Sequence, residues 1–505
     1  MRTPRVIVIG AGAGGLAAAI ELARQGAEVT VLEKQPAVGG KIRVDTAGID
    51  SGPTVLTMRW VLESLFSDAG ATLADHLTLH PADLLARHAW GPDQRLDLFG
   101  DTARSAEAIG AFAGTAEADG FRSFCARAQT VYRTLEAPFM TVQKPSAMSL
   151  TAAAGLAPMF RISPFATLWK ALGEHFRDPR LRQLFGRYAT YSGSSPFQAP
   201  ATLMLIAHVE QQGVWLVEGG MVRVAAALGG LATRLGATVR VSAPVAEIMV
   251  NDGRASGVVL AGGERVAADA VVCNADYAAL ADGVLGAAVV GSAPVAMRER
   301  RSASAMTWTF SALTEGFPLT RHNVFFGGDY AAEFDAVFRR GGITAEPTVY
   351  VCAQDRAGVD PGGDRTAAAG VSQGISSGGE GERLLVLINA PANGDRVQLS
   401  ASEIEQCTTR TFAQLARCGL TLQRRGEAVV TTPADFARLF PATGGALYGQ
   451  AVHGSMAAFR RPGSRSALPG LYLAGGSVHP GPGVPMALLS GRLAAASVLR
   501  DLTSR

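Results

Sequence analysis

Apolar positions follow two rhythms along this chain. Residues 5–10 (RVIVIG) are a short β-branched run ending in glycine, the pattern of a buried strand. Residues 16–25 (LAAAIELARQ) repeat at Leu16, Ala19, Ile20 and Ala23, which is helical spacing, and Gly26 stops them before a second strand-like run, EVTVL, closed by Glu33. The opening therefore reads as β-α-β with an acid at its end. Residues 42–57 read as strand, turn at Ala47-Gly48 and strand; residues 62–85 mix helix and strand; and residues 105–136 are helical, with Phe112, Phe121, Phe124, Val131 and Leu135 apolar. Residues 177–191 are a basic helix. Residues 214–228 are a strand, a turn at Gly219-Gly220 and a helix. Residues 239–250 form one strand, Asn251-Asp252-Gly253 turns it into 257–260, and 264–273 ends at Asn274, so this part is a small meander. Strands follow at 307–313, 349–354 and 383–389, then a helix over 402–418. Finally, residues 471–474 are a buried strand, Gly475-Gly476 ends it, and an apolar helix starts near Val484.

Gly10, Gly12 and Gly15 lie at G-x-G-x-x-G spacing between the first strand and helix. Gly10 permits a tight turn, Gly12 lets backbone approach a pyrophosphate, and Gly15 lets helix pack on strand. The pyrophosphate then meets free N–H groups at the positive end of a helix dipole. Glu33 lies 23 residues beyond Gly10, where a carboxylate accepts from both ribose hydroxyls and repels a 2′-phosphate, which argues against NADP. The motif alone does not choose between FAD and NAD.

Composition narrows the setting. At 505 residues the chain exceeds one core, and two or three domains are expected. It is 48% hydrophobic and 18% charged, with a mean hydropathy of +0.18, high for a freely soluble enzyme. No apolar run reaches the 18 residues that suggest a spanning helix, so membrane contact is expected to be peripheral. The chain enters its first strand without a charged n-region and apolar h-region, which places it on the cytoplasmic side. Cys125, Cys273, Cys352, Cys407 and Cys418 show no C-x-x-C, and the eight histidines are equally scattered. Neither a disulfide framework nor a metal is predicted, and a net charge of +3 without a long basic run offers nothing to nucleic acid.

Two further stretches bear on function. Residues 137–165 are rich in Pro, Met and Phe and poor in acid. Amphipathic helices exposing Phe139, Met140, Met159, Phe160 and Phe165 would dip into a lipid interface, with Lys144, Arg161 and Lys170 meeting phosphates; a packed inter-helix loop is the equal alternative. Gly481-Pro482-Gly483 leads into the terminal helix, whose N-terminus, aimed at N1 and C2=O of an isoalloxazine, would stabilise the anion formed on hydride uptake. The Gly/Ser-rich residues 358–381 read as a surface loop.

Gly39-Gly40-Lys41 after Glu33 resembles the second phosphate-side contact of the glutathione reductase and amine oxidase superfamily. Taken with Gly10-Ala11-Gly12-Ala13-Gly14-Gly15, Asp50-Ser51-Gly52-Pro53-Thr54, Gly219-Gly220 and Ala474-Gly475-Gly476-Ser477-Val478-His479-Pro480-Gly481, it resembles the bacterial-type carotenoid desaturases over essentially the whole chain. Val478 and Pro482 depart from that family's commoner residues. Arg187-Tyr188-Ala189-Thr190-Tyr191, Gly213-Val214-Trp215 and Glu315-Gly316-Phe317-Pro318-Leu319 look most like the branch that introduces the 3,4 double bond into 1-hydroxylated acyclic carotenoids.

The resemblance implies an α/β fold: a Rossmann-type FAD-binding domain (glutathione reductase/amine oxidase-like), a mixed-sheet substrate domain and a helical membrane-facing subdomain. The cofactor domain would be discontinuous, over 1–75, 213–277 and 441–505, with 76–212 a helical region that meets substrate and membrane and 278–440 a substrate domain. Non-covalent FAD would be held by Gly10, Gly12, Gly14, Gly15, Glu33, Gly40, Lys41, Gly52, Pro53, Thr54, Val245, Gly475, Gly476, Pro485 and Met486. Hydride would leave an allylic carbon for the flavin as a proton leaves its neighbour, with no side-chain base identified. The implied partners are an acyclic carotenoid and the inner-membrane surface. Phytoene desaturation, carotenoid isomerisation and non-enzymatic prenyl-chain binding, as in Rab GDP dissociation inhibitors, stand as rivals.

Overall fold

The computed structural model of the chain describes residues 3–155, 165–294, 297–357 and 381–504. A five-stranded parallel sheet runs in the order Leu471–Leu473, Ala270–Cys273, Arg5–Ile9, Glu28–Leu32, Thr238–Arg240. Three distant stretches of sequence thus build one sheet. Strands buried on both faces read as unbroken β-branched runs, and RVIVI and AVVC do so.

Helix Ala13–Arg24 is buried along nearly its whole length between the sheet and helices Val222–Arg234 and Val484–Thr503. Its small side chains make this possible. A Cβ on Gly491 would stand 2.1 Å from the Gly14 carbonyl oxygen, so the two helices cross backbone to backbone. Arg492 on the terminal helix then pairs with Glu21 at 2.7 Å.

A second, seven-stranded sheet has the order Leu420–Thr431, Ser304–Gly316, Glu382–Ala390, Val349–Ala353, His322–Phe325, Leu84–Gly91, Gln94–Phe99. It is antiparallel except where His322–Phe325 meets Leu84–Gly91. Its last two strands come from the stretch expected to be helical: LLARHAWG is mostly buried because it has a neighbour on each side, and the alternating Gln94–Phe99 forms the sheet edge. Helix Ala401–Arg417 covers one face. Helices Thr115–Leu135 and Pro179–Gly186 pack an aromatic cluster of Phe121, Phe124, Phe176 and Phe185 on the other side.

Several elements differ from expectation. The predicted strand over 239–250 is two strands in two sheets, because the turn at Ser242 (φ 50°) and Pro244 carries the chain out of the parallel sheet into Val245–Asn251. Likewise 264–273 divides into Arg265–Ala267 in the meander and Ala270–Cys273 in the parallel sheet. Over 42–57 two isolated bridges form in place of strands, Val44–Asp50 and Leu56–Trp215. The long helix over 105–136 breaks at Gly114 (φ 100°), and the basic helix ends at Gly186 in a 3₁₀ turn, Arg187–Ser192. Phe139 is half-buried against His479 and Phe459, and Met140 is buried, which at these two residues fits the packed-loop alternative and not the exposed one. Met159, Phe160 and Arg161 lie outside the described residues, as does all of the Gly/Ser-rich loop except Gly381. The five cysteines are free and buried.

Helix packing gives a paired prediction. Gly491→Ala forces apart two helices in backbone contact and is expected to cost about 1–3 kcal/mol, whereas Gly230→Ala, on an open helix face, should gain about 0.5–1 kcal/mol from helix propensity. Thermal unfolding of the two variants decides it; equal effects would contradict the packing.

Candidate active site

Four parallel strands end side by side, and the residue after each is a candidate. Gly10 follows Ile9, Glu33 follows Leu32, Asn274 follows Cys273, and Ala474-Gly475 follow Leu473. Ligands of open parallel sheets sit beyond these carboxyl ends. The local geometry depends on absent side chains. Gly10 has φ 93° and donates to Leu32 O at 2.8 Å. A Cβ on Gly15 would stand 2.1 Å from Gly10 O, and one on Gly14 would meet Asn274 Oδ1 at 2.7 Å and Gly475 Cα at 2.9 Å. Gly475 (φ 107°) would itself meet Asn274 Oδ1 at 2.8 Å.

Asn274 is therefore a wedge between two glycine segments, and its Nδ2 donates to Gly10 O at 3.2 Å. Sequence reasoning took it only as the end of a strand. An amide following a buried parallel strand was the available signal.

Glu33 is 4% exposed. One carboxylate oxygen accepts from Ala11 N at 2.8 Å, inside the glycine loop, and the other from Gln35 N at 2.9 Å. The acid thus fixes the loop's shape, with lone pairs left for further donors. Its backbone anchors the crossover, since Ala243 N donates to Glu33 O at 2.8 Å, and Val245 packs with Ile7, Ile9 and Leu32 close by. The first helix starts at N-cap Gly12 and the terminal helix at N-cap Gly483, neither with a side-chain cap. Helices Thr102–Ala113, Pro179–Gly186, Ala401–Arg417 and Pro433–Leu439 are capped by Asp101, Asp178, Ser400 and Thr432. Uncapped amides at the strand ends suit an anion. Pro485 and Met486 lie in the terminal helix's first turn.

Gly39 and Gly40 fold over the loop: Gly39 N donates to Ala11 O at 2.8 Å, and a Cβ on Gly40 would be 3.1 Å from Gly12 Cα. A Cβ on Gly52 would stand 2.0 Å from Lys41 O, so Gly52-Pro53 lies against this segment. The Lys41 side chain is engaged elsewhere. Its ammonium donates to Leu447 O at 2.5 Å and lies 5.2 Å from the Phe440 ring centre. Burial lowers its pKa, Asp276 opposing and Arg461 adding to the effect. Arg461, also missed in the sequence, is buried and donates to the carbonyls of Gly476, Tyr448 and Gln450. Thr54 leaves the strand ends altogether: its hydroxyl bonds the Tyr350 hydroxyl at 2.7 Å, and Tyr350 bonds His322 Nδ1 at 2.7 Å.

Asp50 links the two sheets. Its carboxylate accepts from Met221 N at 2.7 Å and Val222 N at 3.3 Å, at the start of helix Val222–Arg234. Its backbone exchanges two bonds with the Gln354 amide, at 2.7 and 3.1 Å. Burial raises its pKa, and the backbone donors lower it.

Burial also depresses three enclosed histidines, His88 and His322 to about 3 and His479 to about 4. Each is neutral in the folded protein where the unfolded chain's histidine, near 6.5, would take a proton. The stability they contribute is complete above about pH 6.5 and is lost as pH falls toward those lower values. His479→Gln should flatten the pH dependence of denaturant unfolding between pH 6 and 5 by up to about 1.4 kcal/mol per unit. An unchanged slope would contradict a neutral His479.

With this geometry in view, the likenesses are specific. The family model described as flavin containing amine oxidoreductase matches residues 13–499. Hydroxyneurosporene desaturase of Rubrivivax gelatinosus is 52% identical over 512 aligned residues, covering 100% of this chain and 95% of that protein. Phytoene desaturase of Fusarium fujikuroi is 30% identical, covering 98% of this chain and 89% of that protein. Wild-type putrescine oxidase with bound putrescine superposes with a TM-score of 0.57 at 15% identity, covering all of both chains, which bears on the fold alone. The chain belongs to the flavin-containing amine oxidoreductase family.

Proposed function

We propose that this protein is an FAD-dependent desaturase that introduces the 3,4 double bond into a 1-hydroxylated acyclic carotenoid. The observation that carries the reading is full-length identity of 52% to a hydroxyneurosporene desaturase, against 30% to a phytoene desaturase. The strand ends fit the cofactor, since Gly12 and Gly14 leave space where side chains would close it and the first helix presents uncapped amides. Gly10, Gly12, Gly14 and Gly15 would take the pyrophosphate. Glu33 would take the ribose, with Val245 beside the adenine. Gly40, Lys41, Gly52, Pro53, Thr54, Gly475, Gly476, Pro485 and Met486 would surround the remainder.

Bound FAD supplies a hydride acceptor. The chain's own task is to position a flexible polyene and keep water out, because a conjugated cation is stabilised by the substrate itself. The aromatic cluster around Phe124 and Phe185 and the strands carrying Leu385 and Cys352 form one buried apolar body, and the half-buried side chains packed on it, Val55, Phe139, Leu387 and Phe459 among them, would be the surface a hydrocarbon meets.

The polyene arrives from lipid, and one face suits that supply. Met148 and Phe165 are 82% and 83% exposed and Met456 is 45% exposed, with Lys144 and Lys170 also at the surface. The packing of Phe139 on Phe459, and the bond from Gly454 N to Gln198 O, hold these segments together. Among the described residues no helix is long and apolar enough to cross a membrane. Peripheral docking through this face, on the cytoplasmic side of the inner membrane, is the corresponding proposal.

Three outcomes are expected. A carotenoid-producing host given this chain should accumulate pigments two mass units lighter per new double bond; pigments of unchanged mass would favour isomerisation or binding. Glu33→Ala should weaken FAD binding by about 1.5–3 kcal/mol per charged bond removed, visible as flavin lost on gel filtration and regained in excess FAD. Normal retention with failed turnover would contradict the ribose role. Replacing both Met148 and Phe165 with Ser should cut liposome co-sedimentation at least tenfold with flavin still bound, since each buried side chain is worth about 1.5–3 kcal/mol. Unchanged sedimentation would move docking to another face.

A further inference from the structure

Arg187 stands where no strand end or phosphate requires a cation. It opens the 3₁₀ turn after helix Pro179–Gly186, and its guanidinium carbon lies 5.3 Å from the centre of the Tyr350 ring. Among the described residues no carboxylate oxygen comes within the 4.0 Å of an ion pair with it. The groups that feel its charge come from separate elements: His88 and His322 on two strands, Tyr191 on its own turn, Tyr330 on a short helix, Tyr350 on a third strand and Tyr448 on a loop. These are aromatic rings; Arg187 also hydrogen-bonds the Tyr191 side chain, and its charge lowers the pKa of two buried carboxyls, Glu210 and Glu333, against the larger upward effect of burial. The carboxyl that Tyr188 and Tyr191 both bond, Glu210, is buried, and burial raises its pKa toward the uncharged form.

Arg187, Tyr191 and Tyr448 are each only partly buried, so their side chains border a solvent-accessible space. Tyr350 bounds this space on the side of the large sheet and, through its bond to Thr54, reaches the segment packed on Gly52 and Lys41 beside the dinucleotide cradle. A guanidinium has five donors and no acceptor, and Tyr191 takes only part of them, which leaves N–H groups for a further oxygen. A hydroxylated acyclic polyene offers one oxygen on an otherwise hydrocarbon molecule. In the reaction proposed above, that hydroxyl sits on C1, which is two bonds from C3 of the reacting pair. Whatever recognises it must line the space next to the reacting bond, and not the distant end of a tunnel.

We propose that Arg187 is the specificity-determining residue: its guanidinium, seated on the Tyr350 ring beside Tyr191, donates to the substrate's hydroxyl oxygen and so sets which C–C bond is presented for desaturation. This rests on the desaturase reading. A site built around a hydroxyl discriminates against its absence by roughly 10⁴-fold, far beyond what an apolar wall achieves.

The test compares wild-type enzyme with Arg187→Met and Arg187→Lys, each FAD-loaded, on a 1-hydroxylated acyclic carotenoid and its unhydroxylated parent in matched phosphatidylcholine liposomes. Wild type should prefer the hydroxylated polyene by at least 100-fold in kcat/KM. Arg187→Met should bring the ratio to within about threefold of unity, chiefly by raising KM for the hydroxylated substrate, with turnover of the parent unchanged and flavin content intact. Arg187→Lys keeps the charge without the fork and should lose at least tenfold of the preference; it decides the matter if the Met variant fails to retain flavin. A wild-type ratio retained in either flavin-loaded variant, or equal loss on both substrates, overturns the role of Arg187 and leaves the desaturase reading standing. Equal use of both polyenes by wild type overturns the substrate assignment itself.

Discussion

The close approach of bare backbone at the carboxyl ends of the parallel strands is the constraint on which the rest of this molecule depends. Four chain segments meet there, and the atoms that would fill the space are absent: a Cβ on Gly14, Gly15 or Gly475 would collide with neighbouring backbone or with Asn274. Two helices cross at the same place through Gly14 and Gly491, so the cradle and the packing of the cofactor-side core are one feature. Glu33 completes it by accepting from Ala11 inside the loop. Loss of any of these contacts would alter the helix-to-sheet distance as well as the site.

The larger sheet is coupled to that cradle through a few buried polar contacts. Asp50 ties the start of helix Val222–Arg234 to Gln354 at the end of the large sheet's strand, and Thr54 ties the same segment to Tyr350. Between them lies an interior where the Arg187 guanidinium, seated on the Tyr350 ring and bonded to Tyr191, stands among neutral histidines and tyrosines and aromatic packing. Buried polar groups are costly unless they are satisfied. Here they gather in one region, on the side where the two sheets face each other.

The first β-α-β unit and the terminal strand-turn-helix were legible in the sequence because their signals are local: a β-branched run, a glycine at fixed spacing, a helical repeat and an acid. Strand membership was not. Residues 239–250 carry continuous strand pattern, yet the turn at Ser242 moves the chain between sheets, held there by bonds from Ser242 and Ala243 to the backbone of Gln35 and Glu33. Hydrophobic alternation reports burial and says nothing of the neighbour. The same holds for Phe139, whose partners Phe459 and His479 are more than 300 positions away. Arg461 escaped notice, and the roles of Asn274 and Asp50 did, because their partners are equally remote, whereas Arg187 and Tyr191 were visible as a family-like string with no chemistry attached.

The central claim is that flavin held at these strand ends accepts hydride from a polyene lying against the large sheet. An anaerobic single turnover tests it most directly: purified FAD-loaded enzyme is mixed with a limiting amount of 1-hydroxylated acyclic carotenoid, and flavin and polyene absorbance are followed together. The account predicts bleaching of the visible flavin band in step with a red shift of the polyene and a loss of two hydrogens from it, mole for mole. Conversion of the polyene without change in the flavin band, or a flavin that stays oxidised beside unconverted substrate, would contradict it.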